Sequence, residues 1–195
     1  MVENRHLQTT MIIQGNDPTV SPSFTLRNRV MRQIWNWAWL LLFRPSPRPC
    51  HAWRAALLRI FGARIGEHVH VYPAVRVWAP WNLHIGDRVG VADGVTIYNM
   101  DVVTIGDYCV VSQGAHLCGG SHDYQSKNFQ LIAAPIVLQA HTWVCAEAFI
   151  APGVTIPAGA VIAARSVVTR SPLEAWAVYA GMPARKIGKR TKHDT

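Results

Sequence analysis

The sequence predicts a mainly β protein wound as a coiled solenoid, with helices near its N-terminus and one long loop extruded from the coil. Three observations carry this. The tripeptides Ile65-Gly66-Glu67, Ile85-Gly86-Asp87 and Ile105-Gly106-Asp107 recur at a spacing of twenty. Within each unit the aliphatic residues fall six apart: Ile65, Val71, Val77; Ile85, Val91, Ile97; Ile105, Val111, Leu117. The beat stops after Leu117, resumes at Leu138 and runs through Val144, Ile150, Ile156, Ile162 and Val168. An amphipathic helix repeats every ~3.6 residues and a half-buried strand every ~2, so neither explains a period of six.

Such a period suits a triangular coil, in which each side is one hexad made of a flat strand and a turn. The aliphatic residue points inward and stacks on its equivalent one coil away. Four positions later stands a small or β-branched residue (Val69, Val89, Cys109, Thr142), sized for the corner. Gly, Asp and Asn at the remaining places tolerate tight turns. The units of twenty hold three hexads plus two further residues at one corner.

The elements follow in order. Residues 1–22 are polar, carry Pro18 and Pro22, and are expected to form a flexible arm. Residues 23–64 form a basic, Trp-rich helical segment. Ser23 or Thr25 can cap a helix running to about Phe43. Its second half, from Ile34, is apolar on nearly every face but shorter than the ~20 residues of a bilayer span. Pro45, Pro47 and Pro49 force an extended turn, and a second helix over about 52–61 ends on Gly62. The solenoid takes 65–170, with the extruded loop at about 118–137. Residues 171–195 form a basic tail.

The chain has 195 residues, half of them hydrophobic (50%), enough for one sizeable core. Only 15% are charged, which suits a protein that hides much of its surface in an oligomer or against a membrane. The net charge of +8 favours anionic partners. Eight arginines lie between Arg27 and Arg64, and no Asp or Glu lies between Asp17 and Glu67. Arginines among tryptophans and leucines fit either a helix lying on an anionic membrane or a helical cap on the solenoid end. They carry no groove-reading or base-stacking motif, so nucleic acid is not expected. Cys50, Cys109, Cys118 and Cys145 form no C-x-x-C pair and read as reduced thiols. Met1–Asn16 lacks the signal-peptide pattern. The expected location is the cytoplasm, with peripheral attachment to the cytoplasmic face of the inner membrane as the alternative.

These hexads resemble the hexapeptide-repeat acetyltransferases, which fold as left-handed parallel β-helices. The last coils, Val154 to Thr169, and the tail Ala180-Gly-Met-Pro-Ala-Arg-Lys-Ile187 are similar to those of sugar O-acetyltransferases. Phe43-Arg-Pro-Ser-Pro-Arg-Pro49, Val71 to Asn82 and Leu117-Cys-Gly-Gly-Ser-His-Asp-Tyr124 resemble the colanic-acid-biosynthesis branch. The resemblance implies acetyl-CoA as acyl donor, no metal, a homotrimer with sites between subunits, and a sugar or oligosaccharide acceptor, free or lipid-linked, in exopolysaccharide, capsule or lipopolysaccharide assembly.

Acetyl transfer to a hydroxyl needs a base, an oxyanion donor and a phosphate site. His122 in the interrupting loop is the candidate base, since imidazole exchanges protons near neutrality, and the resemblance points to it as well. Asp123 could help hold the loop, or a backbone carbonyl could orient the ring. By resemblance, Ala146 presents a backbone amide to the thioester, Trp143 lines the acetyl or pantetheine pocket, and Ala164 touches the CoA arm. Arg170 and Arg185 would meet the nucleotide end. Tyr98, Asn99, Asp101 and Asp123 are the candidate acceptor contacts, although Asn and Asp are also ordinary corner residues.

Three other readings are weaker. An amino-sugar N-acetyltransferase would use the same base and groove. A zinc carbonic anhydrase on this scaffold would need histidines five apart, whereas His116 and His122 are six apart. A non-catalytic, membrane-associated binding module would have no need of His122 or the basic tail.

Overall fold

The computed structural model describes residues 12, 13, 15–171 and 174–192. Their architecture is a β-solenoid with three parallel sheets, one along each side of a triangular coil. The first face stacks Arg64–Ile65, Leu83–Ile85, Val103–Ile105, Ile136–Leu138 and Thr155–Ile156. The second stacks His70–Val71, Gly90–Val91, Val110–Val111, Trp143–Val144 and Val161–Ile162. The third stacks Arg76–Val77, Thr96–Tyr98, His116–Cys118, Phe149–Ile150 and Val167–Val168.

The register shows why the hexads have their period. Ile65 pairs with Ile85, Ile85 with Ile105, Ile105 with Leu138, and Leu138 with Ile156. Val77, Ile97, Leu117, Ile150 and Val168 form the equivalent column on the third face. These columns are the core, and the corner residues Val69, Val89, Cys109 and Thr142 are buried beside them. Burial pushes the Cys109 thiol up to about 11, so it stays a neutral corner filler.

The Ile-Gly-Asp repeat has a local cause. Asp87 Oδ1 accepts from the Glu67 amide at 2.7 Å, and Asp107 Oδ1 from the Asp87 amide at 2.8 Å. Each acid thus closes the corner of the coil before it. A Cβ on Gly66 or Gly86 would collide with the same carboxylates, so the glycine makes room for the ladder. The third residue past the aliphatic takes a left-handed backbone at these corners, and the sequence does not reserve it for glycine. His68, Arg88, Tyr108 and His141 occupy it with φ between 54° and 62°.

Helices cover the first coil, and a hairpin continues the second face at the other end. Helix α1 (Leu26–Ala38) is capped by the Thr25 side chain on the Asn28 amide and continues as a π-helical turn, Trp39–Phe43. A helix of uniform α geometry would have swung Phe43 about 80° round from Trp35. The wider turn brings it back, edge-on to Trp35 at 5.9 Å. The Trp35 and Trp39 indoles donate to the carbonyls of Val77 and Val75, which pins α1 to the first coil.

Helix α2 (His51–Ile60) buries Ala55, Leu57 and Leu58 against the same coil and ends at Gly62, φ 91°. Between the helices, the proline-rich turn wraps Arg54. Its guanidinium is fully buried and donates to Val71 O, Ser46 Oγ, Pro47 O and Arg48 O. At the opposite end, Ala177–Gly181 adds to the second face and folds back as an antiparallel hairpin with Ala184–Lys189.

Candidate active site

The first two corners are regular, and the third is not. In the first two coils it holds the two extra residues of each unit of twenty. There Asn99 Oδ1 accepts from the Ala79 amide at 3.0 Å, and its Nδ2 donates to the Ala79 carbonyl at 2.5 Å. Asn82 Nδ2 in turn donates to the carbonyls of Asn99 and Met100. In the next coil the same corner erupts into the long loop.

That loop is an antiparallel hairpin, with Gly120 opposite Ala133, Ser121 opposite Ile132 and His122 opposite Leu131. The Gly119-Gly120 pair lets it leave the coil at close quarters. A Cβ on Gly119 would lie 2.9 Å from the Tyr98 carbonyl, and one on Gly120 would run into Met100.

His122 stands at the end of the outgoing strand. Its Nδ1 lies 2.9 Å from the carbonyl of Phe129, and its ring stacks on the Phe129 ring at 4.4 Å and 12°. A carbonyl can only accept, so the shared proton belongs to Nδ1, and in the neutral ring the lone pair falls on Nε2. Phe129 holds this pose from a left-handed backbone, φ 47°. Asp123, next in the chain, bonds within the loop. Its carboxylate accepts from the Gln125 amide at 3.0 Å, and its carbonyl accepts from Ser126 Oγ, so it shapes the loop.

The other acceptor candidates separate. Tyr98 is half-buried, edge-on to Trp78 at 5.8 Å, one coil below Cys118. Burial raises its phenol's pKa. Asp101 is nearly covered and accepts from the Val102 amide at 2.6 Å. Asn99 is wholly buried with both ends of its amide engaged on Ala79, so it offers a ligand no surface. Its part is in the corner, and the expectation of an Asn99 contact to the acceptor gives way to that reading.

The CoA candidates form two groups. Trp143 lies exposed on the second face, its indole donating to Ser112 Oγ at 2.9 Å. Ala146 and Ala164 occupy the same position at the next corner one coil apart, where the Arg165 amide donates to the Ala146 carbonyl. Arg165 itself pairs with Glu147 at 2.6 Å, which lowers the Glu147 pKa. The second group is Arg170 and Arg185. They line one cleft of about 480 Å³ with Tyr179, Pro183 and Lys186. Lys186 is paired with Glu174, which leaves the two arginines as the cleft's unpaired cations among the described residues.

Within one chain, His122 has no hydrogen bond or ring contact to either group. It stands at the third corner, while Trp143, Ala146 and Ala164 stand on the second face and the corner beyond it. Among the described residues no three His, Cys, Asp or Glu side chains gather as a metal site. Sequence reasoning missed Phe129, the partner of His122. Its carbonyl lies in the loop just before the returning strand Leu131–Ala133, in a hairpin whose length was not evident.

No protein-family model matches the chain. It is 41% identical over 174 residues to the protein named colanic acid biosynthesis acetyltransferase WcaF in Escherichia coli (strain K12), covering 89% of this chain and 95% of that one. It is 32% identical over 146 residues to the galactoside O-acetyltransferase of the same organism, covering 72% and 71%. Among solved structures, a galactoside acetyltransferase in complex with coenzyme A superposes with a TM-score of 0.71 at 25% identity, over 86% of this chain and 84% of that one. A Vibrio cholerae hexapeptide-repeat acetyltransferase complexed with acetyl-CoA shares the fold, with a TM-score of 0.78 at 24% identity over 86% and 91%. The chain belongs to the hexapeptide-repeat acetyltransferases. It is an acyltransferase built on their solenoid.

Proposed function

We propose that this chain transfers acetyl from acetyl-CoA to a sugar hydroxyl, with His122 as general base. The observation that carries the reading is the His122 imidazole held by the Phe129 carbonyl with Nε2 left free to accept a proton. The acceptor hydroxyl gives its proton to Nε2 as its oxygen attacks the thioester carbonyl. A backbone N–H, at Ala146, stabilises the tetrahedral oxyanion. Collapse breaks the C–S bond, and the departing thiolate takes the proton back from the imidazolium, so no acetyl-enzyme forms. The two unpaired arginines of the 480 Å³ cleft suit the phosphates of CoA, and the small side chains of Ala146 and Ala164 leave the main chain open to the pantetheine arm.

The sugar acceptor is supported by the names of the two E. coli relatives, and the exopolysaccharide role by the first of them. The separation of His122 from Trp143 and Ala146 within one chain supports a trimer. There, one subunit's base would face its neighbour's CoA groove.

The test is thiol release from acetyl-CoA with a panel of mono- and oligosaccharides, amino sugars included. Acceptor-dependent release by the wild type, lost in His122→Ala, is the expected result. Release confined to amino sugars, or unaffected by the substitution, overturns the reading. Mixed trimers of His122→Ala and Trp143→Ala chains should regain activity, because some of their sites combine an intact base with an intact groove. Inactive mixtures of folded trimers would put each whole site within one subunit.

A further inference from the structure

Helix α1 has two apolar faces, and the solenoid uses only one. Trp35, Trp39 and Phe43 turn inward. On the opposite side Leu26, Val30, Ile34, Trp37 and Leu41 follow one another at spacings of four, four, three and four. At about 100° per residue the first four fall in one stripe on the side away from Trp35, and Leu41 follows them in the π-helical turn. They are 72%, 48%, 49%, 56% and 62% exposed, where solvated helix faces are normally polar.

The stripe is flanked by cations. Arg27 and Arg29 lie on either side of it, both exposed and without an acidic partner among the described residues. Arg44 follows at its C-terminal end, over the Trp39 ring at 5.5 Å. Not every arginine of the segment takes part. Arg54 is consumed in the proline turn, Arg32 is clamped between the rings of Phe24 and Trp78, and Arg48 is paired with Asp93 at 3.2 Å.

From this arrangement we infer that α1 docks the protein on an anionic lipid bilayer, lying in the plane of the interface. Its stripe would enter the acyl boundary and its free arginines would meet the lipid phosphates. Among the described residues no helix is long and apolar enough to cross a membrane, so α1 would lie on it. A second copy of the chain fits the stripe less well. No acid lies between Asp17 and Glu67, so two-fold packing of this face would set arginines against arginines. Docking would bring the solenoid to sugars carried on lipids at the cytoplasmic leaflet.

The test is co-sedimentation of the full-length protein with vesicles of neutral phosphatidylcholine, with and without phosphatidylglycerol. Binding is expected to the anionic vesicles at low salt and should weaken as salt rises. The Arg27→Gln/Arg29→Gln protein should bind about 30-fold more weakly, at ~1 kcal/mol for each surface charge. The Ile34→Ser/Trp37→Ser protein should lose about 100-fold or more of its affinity. Unchanged circular dichroism would show that both variants are folded. No binding by the wild type at low salt, or equal binding by both variants, overturns the inference. So does a change of oligomeric size in the Ile34→Ser/Trp37→Ser protein, which would assign the stripe to a chain–chain contact.

Discussion

The first and third corners of the solenoid solve the same problem with opposite outcomes. At the first corner Asp87 and Asp107 tie each coil to the one before from the solvent side, and the chain turns in the minimum length. At the third corner Asn99 and Asn82 tie the coils from inside, with extra residues around them. The cost of leaving an amide unpaired differs sharply between wet and dry surroundings. An internally fastened corner can let the chain depart and return, because its bonds do not depend on the departing segment. The hairpin bearing His122 leaves from that corner.

Substitutions can break this contrast at several levels. The largest effect expected is on activity: His122→Ala should lower kcat/KM by about 10²- to 10⁴-fold, the usual contribution of a general base, with little change in melting temperature. Turnover assays beside thermal melts check both halves.

Next is Asn99→Ala, which strands the buried N–H of Ala79 and removes one of two bonds to its carbonyl, which keeps the Asn82 amide. At about 1–3 kcal/mol for the orphaned N–H and about 1 kcal/mol for the lost bond to the carbonyl, it should lower the melting temperature by roughly 5–15 °C. Asp87→Ala removes the corresponding acceptor at the exposed corner, where water replaces it, and should cost at most about 1 kcal/mol. Equal losses at the two corners would erase the distinction.

Gly119→Ala is the mildest of the third-corner changes. Its Cβ would press on the Tyr98 carbonyl, and relaxation should cost about 1–3 kcal/mol while shifting the hairpin. A fall in activity larger than the fall in stability would show that the exit point of the hairpin sets the position of His122.

Most of the scaffold was legible in the sequence because a repeat states the same fact many times. Any one of Ile85, Ile105 or Leu138 could be a chance aliphatic, but the column they form could not. The corner residues Val69 and Cys109 were legible for the same reason. What occurs once was not legible. Asn99 looked equally like a ligand contact and a turn residue, and only its burial against Ala79 decides between them. The partner of His122 depended on hairpin register, which no repeat encodes. Arg54 read as one surface cation among eight, yet the proline turn folds around it. The stripe on α1 was visible as an apolar run, but which half faced the coil required the positions of Trp35 and Trp39.

The hairpin of Ala177–Gly181 and Ala184–Lys189 has a further consequence. A stack of parallel strands is an open template, and its terminal edge invites the next chain to continue the ladder. Here the chain doubles back on its own last edge, while α2 sits across the first coil. Along that second face an added copy would meet a hairpin or a helix instead of a bare parallel edge, which disfavours growth of the ladder end to end.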